Sequence, residues 1–188
     1  MTRIVTLLTP GFADWETALL NAVAHSFYGV ETQFATPDGD PVTSSGGMTV
    51  TPQLAFADVA PANSNALILC GGSAWQGEAP PDVSQLVADA RRAGRLIGAS
   101  CDGTVALART GALDAIAHTS NGAGYLDKTG YAGSAQYQDV PHAVTSGRIV
   151  TAPGTAPVSF MAEVMAGLGL ADDNLAYYRG LHAAEHRA

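Results

Sequence analysis

Apolar positions along the chain follow two rhythms. Continuous apolar, partly β-branched runs at Arg3–Thr9, Thr32–Thr36, Ala66–Cys70 and Leu96–Ser100 predict strands. The runs ALILC and LIGAS show no polar alternation, which suits parallel strands buried on both faces. Between them, apolar residues recur at helical spacing. Ala13–Ser26 carries Trp15, Leu19, Leu20 and Val23, and Pro81–Gly94 places Val83, Leu86, Val87 and Ala90 on one face between a proline start and a glycine stop. Gly103–Ala112, Val158–Leu168 and Asn174–Ala184 predict further helices, with a short one near Gly124–Lys128. Pro37–Gly47 is turn-rich, Met48–Thr51 reads as a short strand or hairpin arm, and Ala135–Gln138 and Arg148–Thr151 as late strands. Strands alternating with helices predict an α/β class with a mostly parallel sheet covered on both faces. No repeat or linker divides the 188 residues, so one domain is expected over 1–188.

Composition narrows the function classes. The hydrophobic share is 47% with no charged block, which argues against disorder. The formal net charge is −8 and Lys128 is the sole lysine, so no basic stripe is available for phosphate contacts and no nucleic-acid partner is expected. The opening MTRIVTLLTPGF has a short apolar run followed at once by Asp14 and Glu16, unlike a secretory signal, and no run is long enough to span a bilayer. Two cysteines, Cys70 and Cys101, do not make a disulfide framework. A reducing, cytoplasmic setting without membrane partners is the expectation.

Candidate chemistry centres on RLIGASCDGTVALARTGALD, where an apolar strand stops at Cys101 and a helix begins. In open α/β sheets, sites form at the carboxyl ends of strands. A sharp strand-to-helix turn, eased by Gly103, would push the sulfur outward, as in a nucleophile elbow, although G-x-S-x-G is absent. A helix N-terminus would favour the thiolate and lower the thiol pKa. The alternative is a small buried side chain at a strand end; the turn chemistry favours reactivity. Cys70, flanked by apolar residues, reads as packing. Gly71 and Gly72 end the neighbouring strand, where they read as oxyanion-hole backbone, as a turn, or as both. Glu16 falls in the first turn of the first helix. Burial would raise its pKa and let it donate a hydrogen bond to the sulfur, whereas an exposed acid there would only complement the helix dipole. Asp14 fits the surface or capping role better. Trp75, after the Gly-Gly turn, is the pocket candidate and Trp15 a packing residue; Tyr125 is a further possible lining residue.

These segments, with SSGG-M-TVTPQ, HTSN and GRIVTAPGTAPVSF in the same order from near residue 4 to near residue 168, resemble the ThiJ/PfpI superfamily, also called the DJ-one/PfpI family, within the class I glutamine amidotransferase-like superfamily. The resemblance implies a flavodoxin-like three-layer α/β/α sandwich, usually a homodimer. It implies Cys101 as the elbow cysteine, Glu16 as its carboxyl partner, and the backbone of Gly71, Gly72 and Asp102 as oxyanion donors. Members known as proteases carry His directly after the cysteine, where this chain has Asp102; other members place a His in the HTSN loop, where this chain has Asn121. His118, three residues earlier, is not placed to reach the sulfur. A Cys–His–acid triad is therefore not supported, and the tail LHAAEHRA lacks the late His-x-Glu of amidotransferase sites.

The resemblance and the elbow imply a Cys/Glu-dependent hydrolase, amidase or glyoxalase/hydratase-type enzyme on a small-molecule substrate. The alternative is a stress-response or redox-sensing protein whose Cys101 oxidises to sulfinic acid. No cofactor is expected, since no Walker A is present and GDPVTSSGG reads as a glycine-bearing turn. No metal is expected either: HAAEH, His182 to His186, matches the H-x-x-E-H zinc pattern formally but lacks a third ligand and lies at the chain end.

Overall fold

The computed structural model describes residues 1–184. The chain runs β1 (Arg3–Leu7), α1 (Asp14–Tyr28), β2 (Glu31–Thr36), β3 (Val42–Thr43), β4 (Thr49–Val50), β5 (Leu54–Ala55), β6 (Ala66–Leu69), α2 (Ser84–Arg92), β7 (Leu96–Ser100), α3 (Asp102–Arg109), β8 (Val144–Ser146), β9 (Ile149–Ala152), α4 (Pro157–Gly167) and α5 (Asp173–Ala184). Seven strands form one sheet in the order β5-β2-β1-β6-β7-β9-β8. All neighbours pair in parallel except the β8–β9 hairpin. This is the flavodoxin-like α/β arrangement.

Strand pleating distributes the apolar runs to two cores. Val5, Leu7, Leu67, Leu69, Ile97 and Ala99 pack with Val87 and Ala90 of α2 and with Val105 and Ala108 of α3. Their neighbours in sequence, Ile4, Ala66, Ile68 and Leu96, point the other way, against Leu20 and Val23 of α1 and Phe160, Val164 and Met165 of α4. A continuous apolar run thus serves both faces at once.

Some expectations are corrected. Ala135–Gln138 is not a strand: Ser134–Gln136 forms a single 3₁₀ turn, and Tyr137 makes only an isolated bridge to His118. The open edge of β9 is taken instead by β8, which folds back across the Gly147 turn. Trp15 does not lie on the core face of α1. That face is Glu16, Thr17, Leu20, Asn21, Val23 and Ala24, and Trp15 is 54% exposed. Met48–Thr51 contributes β4, which pairs antiparallel with β3.

Gly103 fixes how closely α3 docks on β6. A Cβ there would collide with the Leu69 carbonyl, lying 2.9 Å from its carbon and 3.2 Å from the Leu69 Cβ. Because the obstacle is backbone, α3 itself must move. Gly103→Ala is expected to cost roughly 1–3 kcal/mol, read as a lower denaturant midpoint. An unchanged midpoint would refute this close approach.

Candidate active site

The sheet order explains why distant residues meet. The strands β1, β6, β7 and β9 lie side by side, and their carboxyl ends deliver Glu16, Gly71–Gly72, Cys101 and Gly154 to one place. Cys101 follows β7 directly with φ 51° and ψ −123°, the one non-glycine residue of positive φ among those described. Holding an L-residue there costs about 1–3 kcal/mol. The conformation turns the chain from β7 into α3 and leaves the cysteine half-buried rather than enclosed.

Glu16 comes off the first turn of α1 and is fully buried. Its Oε2 accepts the Gly71 N–H at 3.0 Å, while Oε1 has no partner in good hydrogen-bond geometry. Oε1 lies against Cys101. A Cβ built on Gly154 would sit 2.9 Å from Oε1 and 3.1 Å from the Cys101 Sγ; one built on Gly71 would sit 2.7 Å from Oε1 and 2.8 Å from the Cys101 Cβ. Two side-chain-free positions therefore enclose the sulfur–carboxyl pair. Gly71 is corrected as an oxyanion donor, since its N–H is committed to Glu16. Gly72 is buried, and a Cβ there would touch the Phe12 Cα and the Thr9 hydroxyl, both at 3.0 Å.

Asn121 is oriented by a backbone donor. Its Oδ1 accepts the Gly154 N–H at 2.9 Å, which turns Nδ2 toward the Cys101 Sγ at 3.1 Å. The residue in the HTSN loop thus donates to the sulfur and takes no proton from it. On the opposite side, Asp102 Oδ1 accepts the Tyr125 hydroxyl and the Gln76 amide, the latter at 2.6 Å; Gln76 also donates to the Tyr125 oxygen at 2.9 Å.

The electrostatics overturn the expected lowering of the thiol pKa. Burial pushes the Cys101 thiol up to about 12; the Glu16 and Asp102 charges add to this, while the Asn121 amide opposes it. The first turn of α3 contains an acid, Asp102, which offsets what the helix terminus offers an anion. Burial also raises Glu16, while the Gly71 N–H and the nearby Cys101 and Ser100 side chains favour its charged form. The pair is a protonated thiol beside a carboxyl of increased proton affinity. Asn121→Asp keeps an acceptor for Gly154 but aims a charge at the sulfur. It is expected to slow Cys101 alkylation at pH 7 about tenfold, measured as an iodoacetamide rate; equal rates would remove Asn121 from the site.

The remaining candidates separate. Trp75 is corrected: it is fully buried, donates to the Cys70 carbonyl at 2.7 Å and stacks on Phe56, so it lines no pocket. Trp15 stands at the site instead, donating to the Gly154 carbonyl at 3.0 Å. From there a groove of about 590 Å³ runs past Pro157 and Val158 to Arg179. Cys70 is buried between Thr17 and the Ala13 carbonyl, and burial raises its thiol. His118 is fully buried, bonded to Ile116 and packed edge-on against Tyr131 and Tyr137. Asp14 binds Ser44 and Gly46, tying the β3–β4 hairpin to α1. Glu185 and His186 of HAAEH lie outside the described residues. Among those described, no group of three His, Cys, Asp or Glu could hold a metal, and no helix is long and apolar enough to cross a membrane.

Gly154 and Gln76 were not legible as site residues. The one signal for Gly154 is its place just after β9, in the position that Gly71 takes after β6.

Known proteins place this architecture. The sequence model of the DJ-1/PfpI family matches residues 2–167. The chain is 32% identical over 126 residues to the uncharacterized protease YoaZ of Bacillus subtilis (strain 168), a match spanning 66% of this chain and 60% of that protein. Among solved structures, the DJ-1 superfamily protein Atu0886 from Agrobacterium tumefaciens superposes with TM-score 0.94 at 43% identity, covering 99% of this chain and 100% of that one. A thiJ/pfpI family protein from Bacillus anthracis gives TM-score 0.86 at 26% identity, covering 96% and 90%. With the family match spanning nearly the whole chain, the chain belongs to the DJ-1/PfpI family.

Proposed function

We propose that the chain is an enzyme using Cys101 and Glu16 on small electrophilic substrates, with hydrolase, amidase or glyoxalase/hydratase-type chemistry. The observation that carries this reading is Glu16 Oε1, buried and without a partner, beside a thiol that burial keeps protonated. A base at that point removes the thiol proton during attack, so no free thiolate is needed beforehand. In the hydrolytic case the sulfur forms a bond to the substrate carbonyl carbon and the π pair moves to oxygen. The backbone N–H groups of Gly72 and Asp102 are the donors proposed for that oxygen. Glu16 then returns the proton to the leaving group as the acyl–enzyme forms, and water with Glu16 as base releases the product and the thiol.

The name of the Bacillus subtilis relative suggests peptide cleavage. No histidine stands beside the sulfur among the described residues, where Asn121 and Asp102 occupy those places, and this favours more reactive small substrates for this chain. Redox sensing is less well supported, because oxidation by peroxide starts from the thiolate and burial disfavours it here. A panel of small amides, activated esters, 2-oxoaldehydes and nitriles tests the proposal. Turnover is expected for at least one class and is lost in Cys101→Ser; turnover that survives that substitution rejects the mechanism.

A further inference from the structure

The environment of the sulfur is rich in hydrogen-bond acceptors and poor in positive charge. Glu16 Oε1 is fully buried and unpartnered next to Cys101. Asp102, in the next position along the chain, is held by two neutral donors, both on its Oδ1. The side chains bonded to Cys101 and Asp102, namely Asn121, Gln76 and Tyr125, carry no cation. Two arginines stand nearby: Arg179 lines the adjoining groove on the Trp15 side, and Arg109 is committed to the Trp75 carbonyl next to Gln76.

We propose that the Asp102 carboxylate, held by Gln76 and Tyr125, sets substrate specificity, selecting electrophiles that carry a neutral or cationic hydrogen-bond donor near the reactive carbon and rejecting those that carry a carboxylate. Amide NH₂, hydroxyl and ammonium groups all qualify; what they share is a proton to offer Asp102. Tyr125 and Gln76 pin one carboxylate oxygen, which fixes the direction of the other. They cannot neutralise the charge. A substrate carboxylate would face two acids with no cation among the side chains bonded to Cys101 and Asp102, and would lose its hydration on entry. A donor group would instead gain a charge-assisted bond.

This rests on Cys101 being a nucleophile, and the test separates the two claims. Three reagents, iodoacetamide, iodoacetate and 2-bromoethylammonium, each transfer one carbon fragment to a thiol sulfur and release halide. Rates at Cys101 of the full chain are read by intact mass and peptide mapping, and each is divided by the rate for 2-mercaptoethanol. Iodoacetate is expected to be at least about tenfold disfavoured against iodoacetamide after this correction, with the ammonium reagent favoured. Asp102→Asn should collapse both preferences toward the small-thiol values, and Asp102→Ser serves if the first variant does not fold. Tyr125→Phe leaves the charge in place and should retain them. Any effect of Asp102 on the thiol itself cancels in these ratios. Corrected ratios near one in the natural chain, or ratios unchanged in the Asp102 variants, overturn the specificity role while leaving Cys101 reactive. Absence of labelling by all three, with labelling restored on unfolding, rejects the nucleophile and the specificity role with it.

Discussion

Cys101→Ser is expected to lower turnover on any substrate of this chain by at least about a thousandfold while leaving the fold intact. The substitution keeps a side chain of nearly the same size at φ 51°, so the elbow strain and the chain path into α3 are retained. What changes is the acidity and softness of the nucleophile. An alcohol is far less acidic than a thiol, and the base set against the sulfur is a carboxyl whose own pKa is raised by burial. In serine hydrolases a histidine bridges that gap. Here Asn121 occupies the loop position and can only donate, because the Gly154 N–H fixes its oxygen away from the sulfur. An unfolding midpoint equal to that of the natural chain, together with lost turnover, assigns the effect to chemistry. Retained turnover means that the reaction, where one occurs, does not pass through this residue.

Much of the fold was legible because burial on both faces leaves a simple trace. ALIL and LIGAS contain almost nothing polar, and both are strands paired through matching positions, Ala66 with Leu96 and Leu69 with Ala99. The elbow was legible for a related reason, since a cysteine and a near-following glycine end such a run. The misreadings came where polarity and burial part company. On α1 the largest apolar residue, Trp15, looked like core, yet Glu16, Thr17 and Asn21 point inward, and Thr17 and Asn21 bond to Cys70 and Thr6 there. Trp75 looked like a pocket wall because it follows a glycine pair, yet its indole N–H reaches the Cys70 carbonyl and makes burial tolerable. The thiol pKa departs from the expectation because a helix N-terminus is visible in sequence, whereas the burial of Cys101 and the raising effect of the Glu16 charge beside it are not. The family resemblance joins Glu16 and Gly71 to the sulfur without any local pattern that encodes it, and the arrival of Gly154 there follows only from strand order.

Glu16→Gln is expected to move two rates in opposite directions. Below the thiol pKa, the alkylation rate of a cysteine follows the thiolate fraction and rises tenfold per pH unit. In the natural chain that pKa lies near 12, with burial as the main cause and the Glu16 charge next. Its iodoacetamide profile should therefore climb through pH 9 without a plateau. Glutamine removes the charge beside the sulfur, so the thiol pKa falls, the profile shifts to lower pH, and alkylation at pH 8 becomes faster, by about tenfold for one unit of pKa. Turnover should fall nonetheless, by about a hundredfold or more, because glutamine cannot accept the thiol proton or return it to the leaving group. A residue that merely supports the packing of α1 would slow both reactions or change neither. Faster alkylation with slower turnover therefore distinguishes a proton carrier from a structural acid; if alkylation and turnover both decline, Glu16 does not act on Cys101 in the way its buried, unpartnered oxygen suggests.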